Sequence, residues 1–244
     1  MVKMIVGQVM NEECDFSNYA AYVQLGIANY GIPDVIERVE KIDETGRNVV
    51  LYGDNRFPSS IFDGIYQSEL LYMINEMDLP IFGAVLHPVE RRHNYHDFVN
   101  LIKSMNRESS GFFAVENSCR VVGKKIPKFY IKEPFEIQYY LDSGMPLFLD
   151  VMALFITCSF STKLLIRSME HLEGNIIGYH LMNMSSPING QFKVVNSLRD
   201  GIIDYEEVAK HLDSNIFFSF EVRGKENFER ELEWLKEKMR SKGT

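Results

Sequence analysis

The chain has 244 residues, 45% of them hydrophobic and 25% charged, with 17 Phe and 12 Tyr, enough apolar mass for a full core, which excludes global disorder. The length exceeds that of a typical small domain but suits an α/β barrel built as one unit. A net charge of −8, from 26 Lys and Arg against 34 Asp and Glu, is a poor field for gripping a polyphosphate backbone and disfavours general nucleic-acid binding.

The opening segment, MVKMIVGQVMNEEC, has an apolar run too short for a signal h-region or a membrane span. Cys14, Cys119 and Cys158 are odd in number and widely separated, with no CxxC spacing, which fits a reduced compartment. A soluble, unprocessed cytoplasmic protein without membrane association is the expectation.

Short β-branched or aromatic runs alternate with longer amphipathic stretches, the pattern of repeated βα units. In chain order the sequence predicts a strand over 4–10, a weak crossover over 11–19, a strand over 21–27, a helix over 33–44, a strand over 48–54 and a helix over 64–77. A strand over 81–88, a helix over 96–105, a strand over 111–117, a basic connection over 118–132 and a helix over 133–142 follow. The last elements are a strand over 146–152, a helix over 162–171, a strand over 175–183, a helix over 205–212, a strand over 216–222 and a helix over 227–240. Asp204, with Glu207 in the following turn, reads as an N-cap. In the last helix Phe228, Leu232, Leu235 and Met239 form the apolar stripe, with Glu and Lys on the other face. Eight βα units, no linker and no GxGxxG or GxxxxGK[ST] loop favour one closed (β/α)8 barrel of the α/β class, a TIM barrel over residues 1–244, against an open doubly wound sheet.

Such barrels build their sites at the carboxyl ends of the strands. Four consecutive predicted strands close on an ionisable group: FFAVEN on Glu116, LFLD on Asp150, IIGYH on His180 and FFSFE on Glu221. Any one alone is more often a strand-end salt bridge. Together they would repel strongly inside a barrel unless a cation joined them. Two Glu, one Asp and one His favour Mn²⁺ or Mg²⁺ and also suit Co²⁺ or Zn²⁺.

The motifs LHP at 86–88, VEN at 115–117, LDV at 149–151, YHLMN at 179–183, DGIIDYEEVAKHL at 200–212 and SFEVRG at 219–224 resemble those of the xylose isomerase-like TIM barrel superfamily. That superfamily includes sugar and sugar-phosphate isomerases and epimerases, and apurinic-site endonucleases. The resemblance spans roughly the C-terminal two-thirds of the chain. It implies that Glu116, Asp150, His180 and Glu221 bind one divalent ion, and that Glu116 and Glu221 are the catalytic acid/base pair, passing a proton through a metal-stabilised enediolate. Where the epimerases usually carry a substrate-contacting His and Arg, this sequence has Ala153 and Ser186. His87 stands where the endonucleases have a metal-binding His, but their strand-six His and the Asp-x-His between strands seven and eight are not matched, and NGQFKVVNSLRDG stands where that pair is expected.

His87, in VLHP, is expected either to line the pocket or to be a hydrogen-bonded strand-end histidine. Asp54 and Arg56, in the GDNR run, together with Asn183 and Arg223, are the other expected substrate contacts. Arg56, Arg91, Arg92, Arg120, Lys124, Lys125 and Arg223 all follow strand ends, and an anionic substrate such as a sugar phosphate or acidic sugar accounts for that. His93, His96, His171 and His211 are expected at helix ends or in solvated loops, and Cys119 as a packed thiol.

The expected function is therefore divalent-metal-dependent isomerisation or epimerisation of a small sugar, sugar phosphate or polyhydroxy acid. The alternatives are a metal-dependent hydrolase or lyase, including an endonuclease-like phosphoesterase, and a non-catalytic barrel acting as a binding protein. Family members are often dimers or tetramers, so the resemblance also implies a homo-oligomer.

Overall fold

A computed structural model describes residues 4–9, 16–27, 32–53, 62, 64–88, 93–119, 130–186 and 193–240. Each apolar run expected as a strand forms one: β1 (Ile5–Val9), β2 (Tyr22–Gly26), β3 (Asn48–Gly53), β4 (Ile81–Leu86), β5 (Phe112–Glu116), β6 (Leu147–Asp150), β7 (Ile176–Leu181) and, after a small hairpin, β10 (Phe217–Phe220). All neighbours pair in parallel, and β1 bonds both β2 and β10, so the sheet closes into an eight-stranded barrel. Closure leaves no edge strand.

The outer ring is α1 (Ile32–Asp43), α2 (Gly64–Asn75), α3 (Tyr95–Glu108), α4 (Pro134–Asp142), α5 (Val151–Thr157), α6 (Thr162–His171), α7 (Tyr205–Val208) and α8 (Lys225–Arg240). On α8 the expected stripe of Phe228, Leu232, Leu235 and Met239 is buried. Glu231 is buried with them, a departure from the expected acidic outer face. It accepts the Leu198 N–H at 3.0 Å and pairs with Arg199 at 2.8 Å, so its charge is not left uncompensated.

The structure departs from expectation at three places. The strand expected to reach residue 152 stops at Asp150, whose side chain accepts the Ala153 N–H at 2.9 Å and caps α5. The helix expected over 205–212 tightens after Val208 into a 3₁₀ turn, Ala209–His211; the Asp204 cap does form, at 3.3 Å from the Glu207 N–H. The connection after β7 folds back as an antiparallel pair, β8 (Asn183–Met184) with β9 (Val194–Val195). In the first crossover, residues 11–15 lie outside the described residues and 16–21 contain a turn with no helix. No single described helix is long and apolar enough to cross a membrane.

Inside the barrel, Tyr22, Val50, Val85, Ala114 and Phe148 form one buried cluster, with Phe82, Phe112, Ile177 and Phe217 packed against it. Large rings fit because neighbouring strands present glycines. A Cβ at Gly7 would fall within the Tyr22 ring, and one at Gly178 within the Phe148 ring. This large-against-small packing fills the lower barrel and closes the site's floor.

Gly178→Ala should therefore destabilise the fold by about 1–3 kcal/mol, as overpacked cores do. The change will appear as a lower urea midpoint at unchanged slope. Phe148→Leu in the same chain should recover part of the loss, and a neutral Gly178→Ala would contradict the layer packing.

Candidate metal centre at the barrel mouth

Three of the four strand-end residues meet. Glu116, Asp150 and His180 are all buried, and one ligand atom from each lies within 4.8 Å of the others. Glu116 ends β5 and is fully enclosed. Its Oε1 lies 2.7 Å from His180 Nδ1, and its Oε2 accepts the Tyr52 hydroxyl at 2.6 Å. His87 Nε2 stands 3.6 Å from the same Oε2.

Asp150 is held by its backbone and its side chain together. Asn117 accepts the Asp150 N–H at 2.7 Å and donates to the Asp150 carbonyl at 3.0 Å. The Asp150 carboxylate meanwhile caps α5 through Ala153. The backbone N–H of Ala153 aims the carboxylate, while the Ala153 methyl side chain offers no polar contact. Ser186 is exposed beyond β8.

The electrostatics follow from burial. Burial alone would raise the Glu116 carboxyl, but the His180 charge and hydrogen bond, with His87 and Tyr52, bring it below the ordinary value. Burial would lower His180, yet Glu116 overrides it, and with Asp150 and Glu221 pushes the imidazole up to about 9. Asp150 is pushed up to about 7 by burial and then by the Glu116 charge. The cluster thus takes up protons to relieve its negative charge. A divalent ion relieves the same charge, and the donor set of carboxylate oxygens and one imidazole nitrogen suits such an ion. His180 Nε2 is also buried without a hydrogen-bond partner.

Glu221 follows β10, and its N–H donates to Leu181 at 3.1 Å, which carries the strand pairing up to it. Its carboxylate lies outside the 4.8 Å group, although its charge acts on Asp150, His180 and Tyr52. Among the described residues that carboxylate makes no hydrogen bond or ion pair.

The expected substrate contacts divide. His87 reaches the cluster. Asn183, expected to face substrate, is fully buried, and its amide is engaged throughout: it donates to Leu198 and Ile203 carbonyls at 2.6 and 3.0 Å, and accepts from Met184 and Ile203 N–H groups at 2.9 and 3.0 Å. These bonds brace the segment after β7. Arg223 is exposed on the loop after β10, where Asn196 bonds its backbone. Asp54 and Arg56 lie outside the described residues, as do Arg91, Arg92, Arg120, Lys124, Lys125 and Cys14.

Cys119 is partly buried, and its thiol is pushed up by burial and by Asp150 and Glu116, the opposite of an activated nucleophile. His93 stacks on Phe62, with ring centroids 4.5 Å apart, and His211 pairs with Glu170 at 3.1 Å.

Tyr52 is the site residue that the sequence reading missed. It ends the Val-Val-Leu run of β3 just before Gly53, where an aromatic reads as core. Burial and then the Glu116 charge push its hydroxyl well above the ordinary phenol value, so it remains a proton donor. The detectable signal was its position, one of the last residues of a barrel strand.

No family model and no curated protein matches the sequence. Solved structures do match in fold. A mannonate dehydratase from Streptococcus suis serotype 2 is 10% identical with a TM-score of 0.64, over 98% of this chain and 93% of that one. Endonuclease IV from Thermus thermophilus is 13% identical with a TM-score of 0.57, over 91% and 90%. A D-tagatose 3-epimerase-like protein is 12% identical with a TM-score of 0.58, over 90% and 89%. The chain has the fold of the xylose isomerase-like TIM barrels.

The pKa shifts set a pH dependence for the protein stripped of metal. Asp150 titrates near 3.8 unfolded and about 7 folded, so stability falls as pH rises across that interval. The His180 contribution is complete below 6.5 and is lost as pH rises through about 9. Glu116 acts oppositely, losing its contribution as pH falls below its ordinary value of 4.5. In chelator, urea midpoints should therefore decline from about pH 5 to 9, and Asp150→Asn should flatten the lower part of that decline. A midpoint that rises across this range would contradict the charge balance described.

Asn117→Ala removes both clamps on the Asp150 backbone. It should cost roughly 1–3 kcal/mol of stability and about tenfold or more in divalent-ion affinity, read by denaturation and calorimetric titration. Unchanged affinity would show that Asp150 is oriented without Asn117.

Proposed function

We propose that this chain is a divalent-metal-dependent isomerase or epimerase acting on a small sugar, sugar phosphate or polyhydroxy acid. The observation that carries this reading is the buried group of Glu116, Asp150 and His180 at the carboxyl ends of adjacent strands. These three, with Glu221, would hold one ion, for which Mn²⁺ or Mg²⁺ suits the oxygen-rich donors. When bound, such an ion polarises a carbonyl and its neighbouring hydroxyl.

Glu221 has the carboxylate better suited to take a carbon-bound proton, since it is only partly buried and makes no side-chain hydrogen bond among the described residues. Glu116 is the other member of the acid/base pair; ionised at rest, it would return a proton after taking one from the His180 imidazole that faces its Oε1. Return to the same carbon gives epimerisation, and return to the neighbouring carbon gives isomerisation. His87, beside Glu116, is placed to bond a substrate hydroxyl. The barrel likeness to a tagatose epimerase-like protein supports sugar chemistry.

A hydrolytic or lyase reading uses the same cluster. Its specific support is His87, a second ring nitrogen 3.6 Å from Glu116, together with the likeness to endonuclease IV and mannonate dehydratase. The net charge of −8 weighs against a nucleic-acid substrate.

Two measurements separate the readings. Elemental analysis after dialysis and reloading should find one ion per chain, lost in the Glu116→Gln, Glu221→Gln double variant. Keto-sugars and their phosphates incubated in D₂O should gain carbon-bound deuterium, and Glu221→Gln should slow that exchange by roughly 10²-fold or more with the fold retained. Two or three ions with phosphodiester cleavage would overturn the isomerase reading. So would a metal-loaded protein that exchanges no proton of any such substrate.

A further inference from the structure

Glu116 divides its two carboxylate oxygens between opposite sides of the barrel mouth. Oε1 faces His180 Nδ1 at 2.7 Å. Oε2 accepts the Tyr52 hydroxyl at 2.6 Å, with His87 Nε2 at 3.6 Å beyond it. The Tyr52 ring packs edge-on against both imidazoles, with centroids 5.2 Å from His87 and 5.6 Å from His180. Rotating the phenol away would break both ring contacts, and Glu116 is fully buried, so it has no solvent-facing position to turn to.

We propose that the Tyr52 hydroxyl, by hydrogen-bonding Oε2, disfavours ligation by both oxygens of Glu116 and so biases the centre toward small six-coordinate divalent ions and against Ca²⁺. This rests on the metal-centre reading above. The physical reason is coordination number. Ca²⁺ takes six to eight oxygens and commonly draws both oxygens of a carboxylate, whereas Mg²⁺ demands a near-octahedral shell at shorter distances. Oε2 keeps a second lone pair, but a phenol hydrogen bond on it weakens it as a donor and restricts approach to it, which disfavours the four-membered chelate that Ca²⁺ accepts. Tyr52 acts through Glu116 and is a positioning residue.

The test is calorimetric titration of the dialysed full chain with Mn²⁺ and, separately, with Ca²⁺. Tyr52→Phe should raise Ca²⁺ affinity relative to Mn²⁺ by about tenfold, within the range of outer-shell effects on metal affinity. Para-fluorophenylalanine at position 52 fills the hydroxyl's volume without donating and should give the same shift, which keeps the comparison available if the Phe variant does not fold. Para-aminophenylalanine restores a donor at that point and should return the ratio toward wild type. An unchanged ratio, or equal weakening of both ions, would overturn the proposal while leaving the metal centre standing. A wild-type chain that binds neither ion would overturn both together.

Discussion

The contact between Glu116 and His180 is the constraint around which the barrel mouth is arranged. A fully buried carboxylate is costly unless a positive partner or strong donors reach it. Here His180 supplies the charge and Tyr52 a second donor, so Glu116 stays ionised below its ordinary range and His180 stays protonated to about pH 9. That pairing leaves Asp150 facing an occupied negative site, and its carboxyl rises to about 7. A divalent cation would offer this cluster the same electrostatic relief that protons do.

Rigid elements keep these groups from relaxing apart. Asn117 clamps the Asp150 backbone, Ala153 bonds its carboxylate, and Asp150 both ends β6 and caps α5. Asn183 ties the segment after β7 to Leu198 and Ile203. Below, the interlock of Tyr22 and Phe148 with Gly7 and Gly178 fills the barrel. The site sits on a packed floor, so these side chains cannot sink into the core to escape one another.

The likeness to a dehydratase, an epimerase-like protein and an endonuclease fits a general property of barrels. One arrangement of strands supports several chemistries because the reacting groups stand on loops and strand ends. Two local features mark this mouth: the Ala153 backbone N–H that donates to the Asp150 carboxylate, and a tyrosine donor on β3 that holds one oxygen of the central glutamate.

The alternation of apolar runs and amphipathic stretches was sufficient by itself to determine the eight barrel strands and seven of the helices, because hydrophobic period is a local property that a parallel barrel preserves. Strand-end position singled out Glu116, Asp150, His180 and Glu221 for the same reason, since each closes an apolar run. What the tertiary structure decided depends on distance between segments far apart in sequence. Glu116 and His180 are 64 residues apart, as are Tyr52 and Glu116, and nothing in the Val-Val-Leu-Tyr run marks its last residue as a donor to a carboxylate on another strand. Only packing revealed that Asn183 is a brace, because its partners come from a later loop, and that Glu231 is buried, because Arg199 and the Leu198 N–H reach it there. A side chain's polarity can be read from the chain; whether that polarity is used by the fold or left for chemistry is set by what closes around it.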